Sequence, residues 1–281
     1  MARTASLGMY DLPAIHAAND ALWQGLAGWL QENGVDRVSE RLDRERSLEQ
    51  IWDDPDLLLA QTCGFPFATR WQGRLRYVVT PMYDAPGCEG PSYRSVLIVR
   101  RDSSARTLAD LRGAIVAINE PSSNSGCNLL AAEVMPLANK TSFFRSAVLT
   151  GSHLASAEAV AEGRASIAAI DVVTYAHLIN NHSTLTGQLR SVGWTAHASG
   201  LPLVTSIRSS PELVNALRNA LAWASIAPEL AEVRKTLLLN GFAQLPDDAY
   251  SSLARLSDAD GYRIPTSLVG SANEGNAGFI C

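Results

Sequence analysis

The chain has 281 residues and a formal net charge of −5, and 47% of its residues are hydrophobic against 18% that are charged. This balance is typical of globular proteins, and the length suits two modest domains or one large one. The negative charge and the lack of a basic run argue against nucleic acid as a partner. No stretch approaches the ~20 apolar residues that a membrane span requires.

The first hundred residues predict one long helix among short strands. Residues 6–9 end a strand, and residues 11–13 begin a helix because proline suits the first helical turn. Apolar residues from Ile15 to Leu30 recur at helical spacing and support this helix. Further strands are predicted at 57–61, 75–80 and 95–99.

The segment from Ala114 to Leu137 predicts a strand, a turn and a helix. An apolar run over 114–118 predicts a buried strand, and residues 127–137 predict a helix with one apolar face. The turn between them contains Ser123, Asn124 and Ser125. A helix N-terminus presents unpaired N–H groups and a partial positive charge, so this turn could hold a tetrahedral oxyanion. Ordinary capping of the helix by serine explains the same residues.

The second half of the chain continues the strand and helix pattern. A strand at 147–149 leads to His153, a helix follows at 155–162, and Ile167 to Asp171 predict a buried strand. Asp171 either contributes a carboxylate to a site or caps the helix over 172–178. A strand at 201–206 precedes helices at 211–226, 228–239 and 247–256, and the tail over 270–278 is expected to be loosely ordered.

This alternation predicts a parallel α/β architecture, in which ligands bind beyond the carboxyl ends of the strands. Several polar residues follow predicted strands or end them, and we take them as candidate ligand-binding residues. They are Tyr10, Thr62, Ser123, Asn124, Ser125, His153 and Asp171.

The cysteines leave the cellular compartment open. Cys63, Cys88, Cys127 and Cys281 show no zinc-site spacing, and no cofactor or metal is expected. Cys63 and Cys88 lie in predicted loops, where a disulfide and two buried thiols are equally compatible with the sequence. No signal sequence is present at the N-terminus, which predicts a periplasmic protein if a signal has been removed and a cytoplasmic one otherwise.

Several segments, taken in order and spacing, resemble the PhnD-like family of phosphonate-binding proteins of ABC transporters. The resemblance covers roughly residues 5 to 240 and gains its specificity from several motifs together. The matching segments are 9–13, 61–66, 86–95, 108–113, 119–126, 151–153, 159–163 and 200–206.

The resemblance implies a two-lobe, type II periplasmic-binding-protein-like α/β fold. One lobe would comprise residues 1–95 and 205–281 and the other residues 96–204, with chain crossings near 95–99 and 201–205. The implied protein is a non-catalytic monomer that closes its lobes on a small oxyanion, a phosphonate, phosphite or phosphate. Its implied partner is an ABC permease.

The resemblance also assigns roles to residues. The family's Ser-Thr-Ser turn, which binds the oxyanion, falls on residues 123–125, where an amide replaces the middle hydroxyl. The family's aromatic wall falls on Tyr10 and Tyr93, and a histidine after a glycine-containing turn falls on His153. An acidic residue that binds the ammonium of aminoalkyl phosphonates in some relatives has Asp171 as its candidate here.

Two expectations concern ligand choice, and two other functions stay open. We expect His153 to contribute most at low pH, where the imidazole is charged, and Asp171 to favour either a singly ionised ligand that carries a hydroxyl or a ligand with a cationic tail. The chain could instead be a sensory module that acts on a sensor kinase. It could also be an enzyme on the same scaffold, for which the sequence shows no nucleophile, phosphate-loop or metal motif.

Overall fold

The computed structural model describes residues 2–138, 142–246, 248–253 and 264. These residues form two compact units. The first unit holds the described residues up to Asp84, Glu89–Ser92 and those from Ser199 to Tyr250, and the second holds Ala85–Cys88, Tyr93–Ala198 and the described residues after Tyr250. The lobe boundaries derived from the resemblance stay a prediction.

The strands and helices alternate along much of the chain. The strands are β1 (Thr4–Ser6), β2 (Leu57–Gln61), β3 (Leu75–Tyr83), β4 (Ser92–Tyr93), β5 (Ser95–Arg100), β6 (Ile115–Ile118), β7 (Ser146–Leu149), β8 (Ile167–Asp171), β9 (Leu189–Trp194), β10 (Ala198–Ser199), β11 (Leu203–Ser206) and β12 (Leu239–Ala243). The α-helices are α1 (His16–Glu32), α2 (Leu48–Trp52), α3 (Gly64–Ala68), α4 (Leu129–Val134), α5 (His153–Ala161), α6 (Val172–Asn181), α7 (Ser183–Thr186), α8 (Pro211–Ile226) and α9 (Ala231–Thr236).

The first unit is built on a five-stranded sheet in the order β1-β2-β11-β3-β12. β1 and β2 are parallel, whereas β11 is antiparallel to both β2 and β3. Helices α1 and α8 supply Trp23, Leu26, Leu217 and Leu221 to the core, which also includes Leu58 of β2. Burial of these apolar side chains stabilises the unit and fixes the strand ends that precede Tyr10 and Thr62.

The second unit contains a five-stranded sheet in the order β7-β6-β8-β5-β9. β6 is parallel to β7 and β8, and β5 is antiparallel to β8 and β9. Because the parallel strands β6, β7 and β8 point the same way, their carboxyl ends lie at one edge of the sheet. The turn after β6, His153 after β7 and Asp171 at the end of β8 therefore lie along that edge.

The sheets are mixed, so the expectation of a parallel architecture is wrong in part. β9 was not predicted, because its half-exposed residues form no apolar run. The helix predicted over 228–239 instead consists of a 3₁₀ turn at Pro228–Leu230 followed by α9, and β12, which was not predicted, begins at Leu239. Sheet-edge strands such as these carry a weaker hydrophobic signal than buried ones.

Other helix boundaries differ as well: α5 begins at His153 rather than at residue 155, and α6 continues to Asn181 rather than ending at residue 178. The first helix begins at His16, after a 3₁₀ turn at Pro13–Ile15, and β1 ends at Ser6. The helix expected over 127–137 is α4, flanked by a π-helical turn and a 3₁₀ turn. The tail over 270–278 and residues 247 and 254–256 of the helix predicted at 247–256 lie outside the described residues.

Two further observations bear on the sequence expectations. Across the described residues, no helix is both long and apolar enough to cross a membrane. Cys63, Cys88 and Cys127 are present as thiols, so the described part of the chain does not contain the disulfide that was left open between Cys63 and Cys88.

Candidate functional site

The hydroxyl-rich segment Ser123–Gly126, called here the serine turn, begins a helical run and is separated from the end of β6 by four residues. Residues Asn124–Asn128 form one π-helical turn, closed by a 3.1 Å hydrogen bond from the N–H of Asn128 to the carbonyl of Ser123. π-Helical turns are rare and occur frequently at functional sites. The first N–H groups of such a run have no acceptor within the helix and can face an anion.

Ser123 caps the serine turn. Its Oγ accepts the N–H of Gly126 at 3.0 Å, which is the capping interaction considered from the sequence. A hydroxyl that accepts one hydrogen bond still has its own hydrogen to donate. Capping and anion binding by Ser123 are therefore compatible.

Asn124 and Ser125 are held by neighbouring side chains of the second unit. Asn124 Nδ2 donates to the hydroxyl of Tyr93 at 3.1 Å, and Ser125 Oγ lies 3.0 Å from His153 Nε2. The hydroxyl of Ser95 donates to the carbonyl of Ser125 at 2.9 Å. These side chains are at most 2% exposed, so water competes little for their hydrogen bonds.

His153 is a neutral imidazole inside the second unit. Burial lowers the pKa of His153 to about 3, although the carbonyl of Ala169 acts in the opposite direction. This argues against the expectation that an imidazolium strengthens binding at mildly acidic pH. A neutral ring has one N–H, and its position decides whether Nε2 donates to Ser125 or accepts the Ser125 hydrogen.

Asp171 caps helix α6. Its Oδ1 accepts the N–H groups of Val173 at 2.8 Å and of Thr174 at 3.2 Å, and the residue is fully buried. The structure thus provides the capping role that the sequence left as one of two alternatives for Asp171. Its contact with a ligand stays a prediction.

Two remaining candidates for charge or metal binding near the serine turn are the thiol of Cys127 and groups of metal-ligating side chains. Burial, followed by the nearby Glu120 carboxylate, raises the pKa of Cys127 to about 11, so its thiol adds no charge beside the serine turn. Within the described ranges, no three His, Cys, Asp or Glu side chains are placed to hold a metal ion.

Tyr10 and Thr62 belong to the first unit. Tyr10 ends a 3₁₀ turn after β1, is 6% exposed and packs edge-to-face on Tyr83 at 5.1 Å between ring centroids. Thr62 follows β2, and its N–H donates to the carbonyl of Pro202 at 3.0 Å. Thr62 thus directly follows β2, and Tyr10 ends the turn after β1, the parallel neighbour of β2. The role of both residues in ligand binding stays a prediction.

Three residues of this region were not selected from the sequence. Ser95 supports the backbone of Ser125, and Gly126 lets the carboxamide of Asn119 approach closely: a Cβ at position 126 would lie 1.8 Å from Asn119 Oδ1. Asn119 also follows β6 and is 1% exposed. The position of Asn119 directly after a predicted strand could have identified it, but Ser123, Asn124 and Ser125 after the same strand were selected instead.

Solved structures with the same fold come from several bacteria. PhnD1 from Prochlorococcus marinus, in complex with methylphosphonate, has a TM-score of 0.72 at 12% identity, over 92% of this chain and 97% of that one. A binding protein component of an ABC phosphonate transporter from Pseudomonas aeruginosa has a TM-score of 0.71 at 18% identity, over 91% of this chain and 86% of that one. XAC2383 from Xanthomonas citri, bound to ATP, has a TM-score of 0.69 at 18% identity, over 92% of this chain and 98% of that one.

At these identities the solved structures establish the fold, a periplasmic-binding-protein-like α/β fold, and leave the ligand open. No curated protein shows a significant match to the chain. A family model described as the periplasmic substrate-binding protein of phosphonate ABC transporters matches residues 54–250. Since this match spans more than half of the sequence, the chain belongs to the phosphonate-binding family of periplasmic substrate-binding proteins of ABC transporters.

Proposed function

We propose that this protein binds a small phosphorus oxyanion, a phosphonate, phosphite or phosphate, at the serine turn and delivers it to an ABC permease. The observation that carries the proposal is the cluster of buried, uncharged hydrogen-bonding groups on Ser123, Asn124 and Ser125 at the start of a helical run. Hydroxyl and N–H donors can surround a tetrahedral oxyanion there without a charged side chain. The family to which the chain belongs supports the transport role over the sensory one.

Buried donors of this kind favour selectivity. A ligand that leaves one of them unpaired incurs the desolvation cost of that group, about 1–3 kcal/mol. Tyr10, Thr62, Tyr93, His153 and Asp171 complete the proposed set of ligand-binding residues. The proposal is one of binding without turnover, so none of these residues is assigned a catalytic role.

The direct test is calorimetry of the purified protein with methylphosphonate, phosphite and phosphate, beside acetate as a carboxylate control. Methylphosphonate is the first probe because the protein from Prochlorococcus marinus is in complex with it. We expect saturable binding of at least one phosphorus oxyanion. Binding of acetate alone, or hydrolysis of a phosphonate or phosphate ester by the protein, would overturn the proposal.

Removing either hydroxyl of the serine turn should weaken binding. A hydrogen bond to a charged ligand contributes about 1.5–3 kcal/mol, so Ser123→Ala and Ser125→Ala should each raise Kd roughly ten- to a hundred-fold. Ser122→Ala is the matched control, because Ser122 is the exposed neighbour of the turn. Calorimetry of the folded variants decides the matter, and unchanged affinity in both Ser123→Ala and Ser125→Ala would contradict the proposed site.

His153→Ala should weaken binding by a similar factor at mildly acidic and at neutral pH. Because burial lowers the pKa of His153 to about 3, the side chain that contacts Ser125 is neutral over this range. The quantity to measure is the ratio of the variant and wild-type Kd values, which cancels the ionisation of the ligand itself. A ratio that rises steeply towards acidic pH would show that the charged imidazole contributes after all.

A further inference from the structure

Unpaired polar atoms concentrate around the serine turn. Of the nine buried side-chain nitrogen and oxygen atoms without a hydrogen-bond partner among the described residues, four belong to Asn119, Asn124 and Asn128. Folded proteins contain few such atoms, and each one calls for a partner that completes it, such as a ligand or a buried water. This cluster therefore indicates that the turn is completed by a group outside the described residues, such as a ligand.

Asn119 is the clearest case, because both polar atoms of its carboxamide lack a partner within the described residues. Asn124 has one remaining atom, since its Nδ2 already donates to Tyr93. The orientation of an asparagine amide is an assignment, and exchanging O and N at Asn124 would change which atom remains. At Asn119 the exchange changes nothing: one donor group and one acceptor are unpaired in either orientation.

The carboxamide of Asn119 lies against the serine turn. Measured from the point that a Cβ on Gly126 would occupy, Asn119 Oδ1 is at 1.8 Å, Asn119 Cγ at 2.8 Å and His153 Cε1 at 3.2 Å. His153 in turn contacts Ser125. The unpaired amide of Asn119 and the side chain of Ser125, which we propose to bind the anion, thus lie in one buried cluster.

An amide edge offers a donor and an acceptor side by side. A fully ionised oxyanion can accept from the N–H but has nothing to donate to the carbonyl oxygen, whose lone pairs would face negative charge. A singly ionised phosphorus oxyanion that retains one P–OH can satisfy both atoms at once. The capping hydrogen bonds of Asp171, which was expected to select such a ligand, already engage its Oδ1.

We propose that Asn119 is a specificity-determining residue that selects the hydroxyl-bearing, singly ionised form of the ligand through its unpaired carboxamide. This inference rests on the proposed function. It assigns the selection of the hydroxyl to Asn119 rather than to Asp171.

The test uses Asn119→Leu, which keeps a similar volume and removes both polar atoms, with Asn119→Ala as a second variant should leucine disturb folding. The probes are methylphosphonate, measured on either side of its second ionisation, and hypophosphite, an anion with no P–OH once ionised. The wild type should bind methylphosphonate more tightly below that ionisation and should bind hypophosphite with little pH dependence. Asn119→Leu should lose roughly ten- to a hundred-fold in methylphosphonate affinity and much of its pH preference.

Thermal unfolding separates recognition from a structural role. Since removal of an unpaired buried amide relieves a desolvation cost, Asn119→Leu should have an equal or higher Tm than the wild type without ligand and a smaller rise in Tm with methylphosphonate. A lower Tm with unchanged affinity would show that Asn119 supports the fold, for example through a buried water, and would overturn the inference.

Two further outcomes are decisive. Asp171→Asn preserves a good helix cap, and it should keep the preference for singly ionised methylphosphonate. If Asp171→Asn removes that preference and Asn119→Leu does not, the inference is wrong and Asp171 is the selecting group. If the wild type binds no phosphorus oxyanion at any pH, the proposed function fails rather than this inference alone.

Discussion

Gly126→Ala is expected to reduce ligand affinity by at least about a hundred-fold and to lower the free energy of unfolding by about 1–3 kcal/mol. An added Cβ would lie 1.8 Å from Asn119 Oδ1 and 2.8 Å from its Cγ, with His153 Cε1 at 3.2 Å. The fully buried His153 ring limits how far the Asn119 carboxamide can retreat. Relief of the clash must displace groups that we propose to contact or position the ligand, so binding should suffer more than stability.

Calorimetry with methylphosphonate and urea unfolding measure the two effects of Gly126→Ala. Gly28→Ala is the matched control, because no atom lies within 4 Å of a Cβ at that position in α1. It should leave binding unchanged and stabilise the protein by about 0.5–1 kcal/mol, the usual gain for alanine in a helix.

A double variant identifies the clash as the cause. In Gly126→Ala combined with Asn119→Ala, the space occupied by the carboxamide becomes free, so the loss of stability should be smaller than the sum of the two single losses. Strict additivity, or wild-type affinity in Gly126→Ala, would contradict the close approach of Asn119 to the turn as a requirement for binding.

The sequence predicted the elements that carry a strong apolar signal. β2 and β8 are buried along their whole length and were placed with the correct boundaries, and α8 was predicted over its full extent. Four strands were missed: β4 and β10 have only two residues each, and β9 and β12 are half-exposed and carry glycine, so composition does not distinguish them from loops. The expectation of parallel sheets rested on the alternation of strands and helices, and it fails for predicted strands too, since β11 is antiparallel to β2 and β3 and β5 is antiparallel to β8.

The candidate site shows a similar division. The serine turn could be found because hydroxyl residues stand between an apolar strand and an amphipathic helix, and the family resemblance pointed to the same residues. The contact of Ser95 with that turn could not be predicted, because the two lie 30 residues apart in the chain, and the close approach of Asn119 to Gly126 depends on the irregular path of the turn between them. The neutral state of His153 likewise follows from its complete burial, which no local pattern reveals.

The second large effect is a loss of stability in mild acid, caused by buried histidines. Burial lowers the pKa of His153 to about 3 and that of His177 to about 4, below the ordinary value of 6.5. The unfolded chain therefore binds more protons than the folded protein once the pH falls below about 6.5, and stability falls with pH. The stabilising contribution of the neutral histidines is fully present above about pH 6.5 and decreases as the pH falls towards the pKa of the folded protein.

The size of the effect follows from the shift in pKa. Each unit corresponds to about 1.4 kcal/mol, so between about pH 7 and about pH 4.5 the protein should lose about 2–3 kcal/mol through His153 and a comparable amount through His177. This range lies above the titration of the carboxylates of Asp43 and Asp54, whose pKa values are lowered and whose contributions are lost only in stronger acid. Mild acid therefore isolates the histidines.

Urea unfolding at the two pH values should show the loss in the wild type and a loss smaller by about 2–3 kcal/mol in His153→Gln. His177→Gln should remove its own share, and the two reductions should add if the histidines titrate independently. The comparison uses the change with pH within each variant, because replacement of a buried side chain alters stability at every pH. An equal change in the wild type and in His153→Gln would mean that His153 is charged in the folded protein, and the account of the serine turn as an uncharged anion site would fail with it.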